Sequence, residues 1–226
     1  MSEPPRQLPL ALPVEAACGR DDYVVGVANR AAFDLVTAVR WPSDVLLLIG
    51  PEGAGKSHLA AVFAAEHGAP TVAAAELPGH DPLALVAAGA VVVEDAGEDG
   101  TGGEGERALF HLLNAARQAG ARLLITARRP LAGWGLALPD LASRLRAATP
   151  VELGLPDDGL LDALLAKLFA DRQTTVDPAV VAYLARRMER SFAAAGRLVE
   201  ALDREALAAK GPITRALAAR VLVRGF

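Results

Sequence analysis

The stretch VLLLIGPEGAGKS occupies residues 45–57. Its first half is a continuous apolar run ending at Gly50, the pattern of a strand buried on both faces. Its second half, Gly50 to Ser57, fits G-x-x-x-x-G-K-[ST] in full. The residues that follow, SHLAAVFAAEHG, read as a helix closed by Gly68. Strand, glycine-rich turn and helix is the context in which this motif holds phosphate. Gly50, Gly53 and Gly55 let successive N–H groups face inward, and the helix N-terminus adds its positive end. Lys56 reaches the terminal phosphates and the Ser57 hydroxyl ligates Mg²⁺. Pro51, Glu52 and Ala54 complete the loop, and His58 follows on the helix. Lys56 is also one of three lysines in a chain whose Lys and Arg total 23.

Working outward, short apolar runs alternate with helical patterns. TVAAA is a weak strand, AVVVED a strong one, and RLLITA and TPVEL two more. Between them, DPLALVAAG opens with Asp81 and Pro82 as a short helix. ERALFHLLNAARQAG places Leu109, Leu112, Leu113 and Ala116 on one helical face. Continuous apolar strands alternating with helices predict an α/β fold, a parallel sheet covered on both faces. After Leu155 the strands stop. LLDALLAKLFADR repeats Leu161, Leu164, Leu165 and Leu168 at helical spacing, and DPAVVAYLARRMER begins with an Asp177 cap and Pro178. The expected organisation is an extended peptide over 1–13, a nucleotide-binding α/β domain over 14–155 and an all-helical domain over 156–226. The hinge falls near LGLPDDG.

Composition excludes several other classes. The 226 residues carry a net charge of −4, which argues against broad attraction to nucleic acid. Cys18 is alone, so no internal disulfide forms. His58, His67, His80 and His111 are scattered and form no zinc pattern. There is no G-x-S-x-G or H-E-x-x-H motif. No apolar run approaches the ~20 residues that cross a bilayer, and the N-terminus lacks the pattern of a secretory signal. The expectation is a cytoplasmic protein with no membrane partner.

Two further features bear on chemistry. Glu94 and Asp95 end the strand VVVED, where one carboxylate can hold the Mg²⁺ water shell and the next can orient an attacking water. The usual order is Asp first. The alternative is a polar strand end that simply opens the acidic loop AGEDGTGGEGE. Thr126 ends the strand RLLIT, and its hydroxyl either meets the γ-phosphate or attacking water or is satisfied by local backbone. The other feature is RQLPLALP, residues 6–13, too interrupted by Pro9 and Pro13 for a helix and too apolar for a solvated tail. It either folds onto the protein's own core or serves as a ligand for a partner's apolar pocket.

With these parts in place the chain resembles the AAA+ P-loop ATPases, and within them the DnaA branch of replication initiators. DDYVVGVANRAAFDLV is similar to the segment that lines the adenine pocket, which implies that Tyr23, Val24, Val25 and Gly26 contact the base, with Asn29 nearby. VVVEDAGEDGTGGEGERALFHLLNAARQAG resembles the Walker B segment and the helix after it. LLITARRPLAGWGLALPDLASRL resembles the sensor 1 strand and the arginine-finger segment, with Arg144 at the finger position and Arg146 as its local competitor. The resemblance covers about residues 14–223 and implies a helical lid and bound ADP or ATP with Mg²⁺. The sensor 2 register on the third lid helix falls on Gly196, with Arg197 one position along, ~100° around the helix.

Two features resemble the Hda regulators rather than DnaA. The sequence ends at Phe226 just past the lid, with nothing expected to supply a DNA-binding helix-turn-helix. QLPLAL is similar to the clamp-binding peptide of that group, which implies that Gln7, Leu8, Pro9, Leu10 and Leu12 bind the DNA polymerase III sliding clamp (its beta subunit). The resemblance then implies an adaptor that reaches DNA only through the clamp, docks on the AAA+ domain of DnaA, stimulates ATP hydrolysis there, and self-associates according to its nucleotide. A helicase-loader-like ATPase shares the whole core and is the competing expectation. A small-molecule kinase fits the helical lid less well.

Overall fold

The computed structural model describes residues 19–20, 23–97 and 103–226. The strands β1 (Val45–Ile49), β2 (Thr71–Ala73), β3 (Ala90–Ala96), β4 (Arg122–Ala127) and β5 (Thr149–Glu152) form one sheet in the order β2-β3-β4-β1-β5. Every pairing is parallel. β1 lies between β4 and β5, with Leu48 level with Thr126 on one side and Val151 on the other.

Side chains alternate between two apolar layers, as a pleated strand requires. Leu47, Ile49, Val91, Val93, Leu123 and Ile125 pack toward α3 (Pro82–Val86), α4 (Glu104–Ala119) and α5 (Pro139–Arg146). Leu46, Leu48, Val92, Leu124 and Val151 pack toward α1 (Arg30–Val36) and α2 (Lys56–His67). Covering both faces is what allows the strands to be apolar throughout.

The run TVAAA stops pairing at Ala73. Alanine fits a pleated edge poorly, and Ala74 and Leu77 bury themselves from a 3-10 turn, Ala74–Gly79, instead.

Beyond Leu155 come α6 (Asp158–Asp171), α7 (Pro178–Ala185), α8 (Phe192–Ala209) and α9 (Arg215–Arg224). Each starts on a side-chain cap: Asp157, Asp177, Ser191 and Thr214 accept from N–H groups of the following first turn. Their core joins Leu165, Phe169, Leu184, Leu198 and Leu217, and Val24 from the other end of the chain packs against it. No helix among the described residues is long and apolar enough to cross a membrane.

Candidate nucleotide-binding site

Because the strands are parallel, the loop after β1, the end of β3 and the end of β4 all lie at one edge of the sheet. This is the edge where open α/β sheets bind ligands. Gly53 and Gly55 have φ of +77° and +92°, left-handed values that a side chain disfavours. Gly55 also caps α2, so the chain turns from loop to helix without a Cβ in the way. Lys56 is buried and donates to the carbonyls of Gly50 at 2.7 Å and Pro51 at 2.9 Å. The ammonium is thus folded back over its own loop. Ala54 is buried, while Pro51, Glu52 and Ser57 are exposed at the mouth.

The lid rests directly on this loop. The Phe192 N–H donates to the Gly53 carbonyl at 3.0 Å. A Cβ on Gly53 would lie 2.6 Å from Ser191 Oγ, and one on Gly55 would lie 3.1 Å from the Phe192 ring. The N-terminus of α8 therefore meets the N-terminus of α2, and two positive helix ends converge on one loop.

Residues 23–26 run between the lid and the α/β layer. Tyr23 stacks on Phe33 with centroids 5.3 Å apart, meets His58 edge-on at 5.1 Å and lies 6.5 Å from Phe192. It is 4% exposed, and its hydroxyl has no hydrogen-bond partner among the described residues. Burial pushes its pKa up to about 12, against a small opposing effect of Asn29 beside it. Asn29 is already engaged with backbone: its Oδ1 accepts from Gly26 N–H at 2.7 Å and its Nδ2 donates to the Val24 carbonyl at 2.9 Å. Tyr23 is therefore a wall of the cleft. The half-buried Val24, Val25 and Gly26 form the part of the segment that a base can reach. Gly26 sits against Leu160 of α6, leaving 3.1 Å to an added Cβ.

At the end of β3 the ladder with β4 shifts register between Val93 and Ala96, and Asp95 takes a φ of +54°. The irregularity takes the Asp95 N–H out of the backbone ladder with β4. Thr126 Oγ1 accepts from the Asp95 N–H at 3.1 Å, and Thr126 is buried. Its oxygen thus holds the acidic turn, and its hydroxyl still has a proton to donate. Glu94 Oε1 is buried without a hydrogen-bond partner among the described residues. An orphaned carboxylate oxygen is costly, and a cation or its water shell would relieve it.

Arg197 does not share the face that meets the loop. Phe192 and Gly196 are four residues apart and lie on one side of α8, whereas Arg197 is exposed on the side of Ala193. A Cβ on Gly196 would meet open space.

Arg144 sits in the last turn of α5, half-buried, with its guanidinium 5.1 Å from the centre of the Phe110 ring. Arg146 is exposed. α5 hands the chain to the start of β5, the sheet edge opposite the phosphate loop. Strands of this length hold the two edges ~15–20 Å apart.

Four residues of this arrangement are invisible to motif reading. Glu106 on α4 is buried, and its carboxylate accepts from Ala137 N–H at 3.0 Å and Leu138 N–H at 2.8 Å. It caps α5 from a distance, since the N-cap Leu138 has no side-chain bond to offer. Trp134 lies flat over Gly97 and donates to the Arg129 carbonyl at 2.9 Å. Phe192 closes the cleft, and Arg128 reaches Glu52. The one available signal was the stretch LALPD, a helix start at Pro139 with no Ser, Thr, Asp or Asn before it. An open cavity of about 720 Å³ lies elsewhere, between the 3-10 turn, α3 and α4, and none of the expected site residues lines it.

The expected clamp-binding residues Gln7, Leu8, Pro9, Leu10 and Leu12 lie outside the described residues, as does the acidic loop over 98–102.

No family model matches the sequence. The fold has close counterparts among solved structures. Domain III of the replication initiation protein DnaA from Thermotoga maritima superposes with a TM-score of 0.77 at 15% identity, covering 94% of this chain and 98% of that one. AMPPCP-bound DnaA from Aquifex aeolicus gives 0.69 at 14% identity, over 82% of this chain and 64% of that one. The Thermotoga maritima RuvB Holliday junction branch migration motor gives 0.66 at 16% identity, over 91% and 71%. At such identities the likeness establishes architecture alone: this chain shares the fold of those DnaA and RuvB structures, a parallel-sheet layer followed by a helical part.

Proposed function

We propose that this protein is a nucleotide-binding AAA+ adaptor of the Hda type, tethered to the sliding clamp and stimulating ATP hydrolysis by DnaA so that replication does not initiate twice. The observation that carries this reading is a separation. The phosphate loop under its lid is at one sheet edge, and Arg144 lies on α5, which leads the chain away from that edge toward the start of β5 at the other. An arginine there serves a phosphate held by a second chain, not its own.

In this reading ADP or ATP lies across Gly53–Ser57, with its base against Val24, Val25 and Gly26. Lys56 exchanges its carbonyl partners for phosphate oxygens. Mg²⁺ fits the residues present, because Ser57 and Glu94 offer hard oxygen atoms that would hold it beside the phosphates. When bound, the ion neutralises phosphate charge. Asp95 and Thr126 hold the acidic turn in place. Arg144, brought against the nucleotide of DnaA, neutralises charge on the γ-phosphate as its bond breaks. Gln7, Leu8, Pro9, Leu10 and Leu12 engage an apolar clamp pocket, and Pro9 lowers the ordering cost.

The test is clamp binding by the doubly substituted Gln7→Ala, Leu8→Ala protein. Loss of clamp affinity with nucleotide affinity retained is expected, and unchanged clamp affinity contradicts the tether.

The second reading, a loader-like ATPase working alone, is favoured by one observation, the unpartnered Glu94 oxygen at the phosphate edge. Intrinsic ATP turnover separates the two. Turnover at the rate of a working ATPase, abolished by Lys56→Ala, supports the loader, and near-absent turnover supports the adaptor.

A further inference from the structure

One charge pair at the phosphate mouth has no part in the roles given so far. Glu52 Oε2 accepts from Arg128 Nη1 at 2.7 Å, linking the phosphate loop to the residue just past β4. Both side chains are exposed, 79% for Glu52 and 41% for Arg128. An exposed ion pair adds little to folding stability, so stability does not account for this one. A carboxylate inside a polyphosphate-binding loop also works against its ligand, because like charges repel.

The position of Glu52 makes that repulsion selective. The ammonium of Lys56, the group that reaches the terminal phosphates, rests on the carbonyls of Gly50 and Pro51, immediately before Glu52. Thr126, two residues before Arg128, holds the acidic turn of Asp95 at the same edge. Glu52 and Arg128 therefore flank the end of the site where a γ-phosphate projects. A diphosphate leaves that end unfilled, and a triphosphate adds roughly one more negative charge to it.

We propose that Glu52 and Arg128 read the length of the polyphosphate. Glu52 disfavours the terminal phosphate of a nucleoside triphosphate. Arg128 stays on Glu52 when a diphosphate is bound and turns to the terminal phosphate when a triphosphate is bound. The pair is a specificity determinant, and it rests on the reading of Gly50–Ser57 as a nucleotide site.

The test is isothermal titration of ADP and of the non-hydrolysable triphosphate AMPPCP into the full chain, the Glu52→Gln variant and the Arg128→Gln variant. The quantity read is the ratio of the triphosphate Kd to the diphosphate Kd. The parent ratio should exceed one. Glu52→Gln should lower it roughly tenfold, Arg128→Gln should raise it by a similar factor, and both shifts should shrink in high salt. Opposite signs from two partners of one ion pair are not what loss of a structural contact produces. Ratios unchanged within about twofold, or moving in the same direction, overturn the proposal while leaving the nucleotide site standing. A parent protein that binds neither nucleotide overturns the site and the proposal together.

Discussion

The two edges of the sheet are built in different ways. At the phosphate edge the working parts are mostly backbone: left-handed glycines, two helix ends, a kinked strand terminus and the carbonyls that hold Lys56. Everything there is pinned by several elements at once, including a lid helix bonded to the loop through Phe192 and Gly53. Toward the other edge, on α5, one side chain, Arg144, leans on one ring, and the helix carrying it is capped by one buried carboxylate, Glu106. The difference teaches how division of labour looks in a fold. In the proposed function, the site that holds a ligand is the cross-braced one, and the group offered to another molecule is the half-exposed one steadied from behind.

The largest expected effect breaks the two edges apart. Arg144→Ala should lower stimulation of DnaA's ATPase by ~10³-fold or more while nucleotide affinity stays at the parent value. A fully active variant moves the finger, with Arg146 next in line. The complementary change is Lys56→Ala. It should weaken nucleotide binding by roughly a hundredfold, through the loss of charge-assisted bonds to phosphate, as measured with a fluorescent ADP analogue. Retained affinity would mean that the loop does not hold the nucleotide.

The brace behind the finger is tested by Glu106→Ala. It removes the buried carboxylate that accepts from the N–H groups of Ala137 and Leu138 and should cost about 1–2 kcal/mol in chemical denaturation, the loss of a helix cap. Stimulation should fall with nucleotide affinity unchanged, which sharpens the view that α4 positions α5. A variant as stable and as active as the parent would remove Glu106 from the account.

The effect confined to the most alkaline range concerns the wall of the cleft. The Tyr23 hydroxyl has a pKa pushed up to about 12 from an ordinary 10.0. The folded state therefore holds its proton more tightly than the unfolded chain does. Its stabilising contribution is complete below pH 10 and is lost as pH rises toward 12, by up to about 2–3 kcal/mol. Thermal unfolding across that range should show the loss in the parent and a flatter profile in Tyr23→Phe. Equal profiles would mean that the ring is not enclosed.

Legibility followed the range of the interactions. The parallel sheet, the phosphate loop and the helical lid could be read because each rests on local patterns: apolar runs, a spaced glycine motif, caps such as Asp177 before Pro178. Contacts between distant segments could not. Glu106 reads as a polar position on an amphipathic helix, and only the fold brings Ala137 to it. Arg128 and Glu52 are 76 positions apart. Tyr23 is a base contact by resemblance, and its packing against Phe33, His58 and Phe192, from three separate elements, is set by the fold alone. Thr126 also holds the Asp95 N–H, a contact that depends on the register shift at Asp95, which no local pattern encodes.

The most direct test of the central claim is ATP hydrolysis by DnaA in the presence of this protein bound to ADP, with and without sliding clamp loaded on DNA. The account predicts that hydrolysis accelerates only when this protein and the loaded clamp are both present, and that Arg144→Ala abolishes the acceleration. DnaA hydrolysis that is indifferent to this protein, with or without loaded clamp, would contradict it.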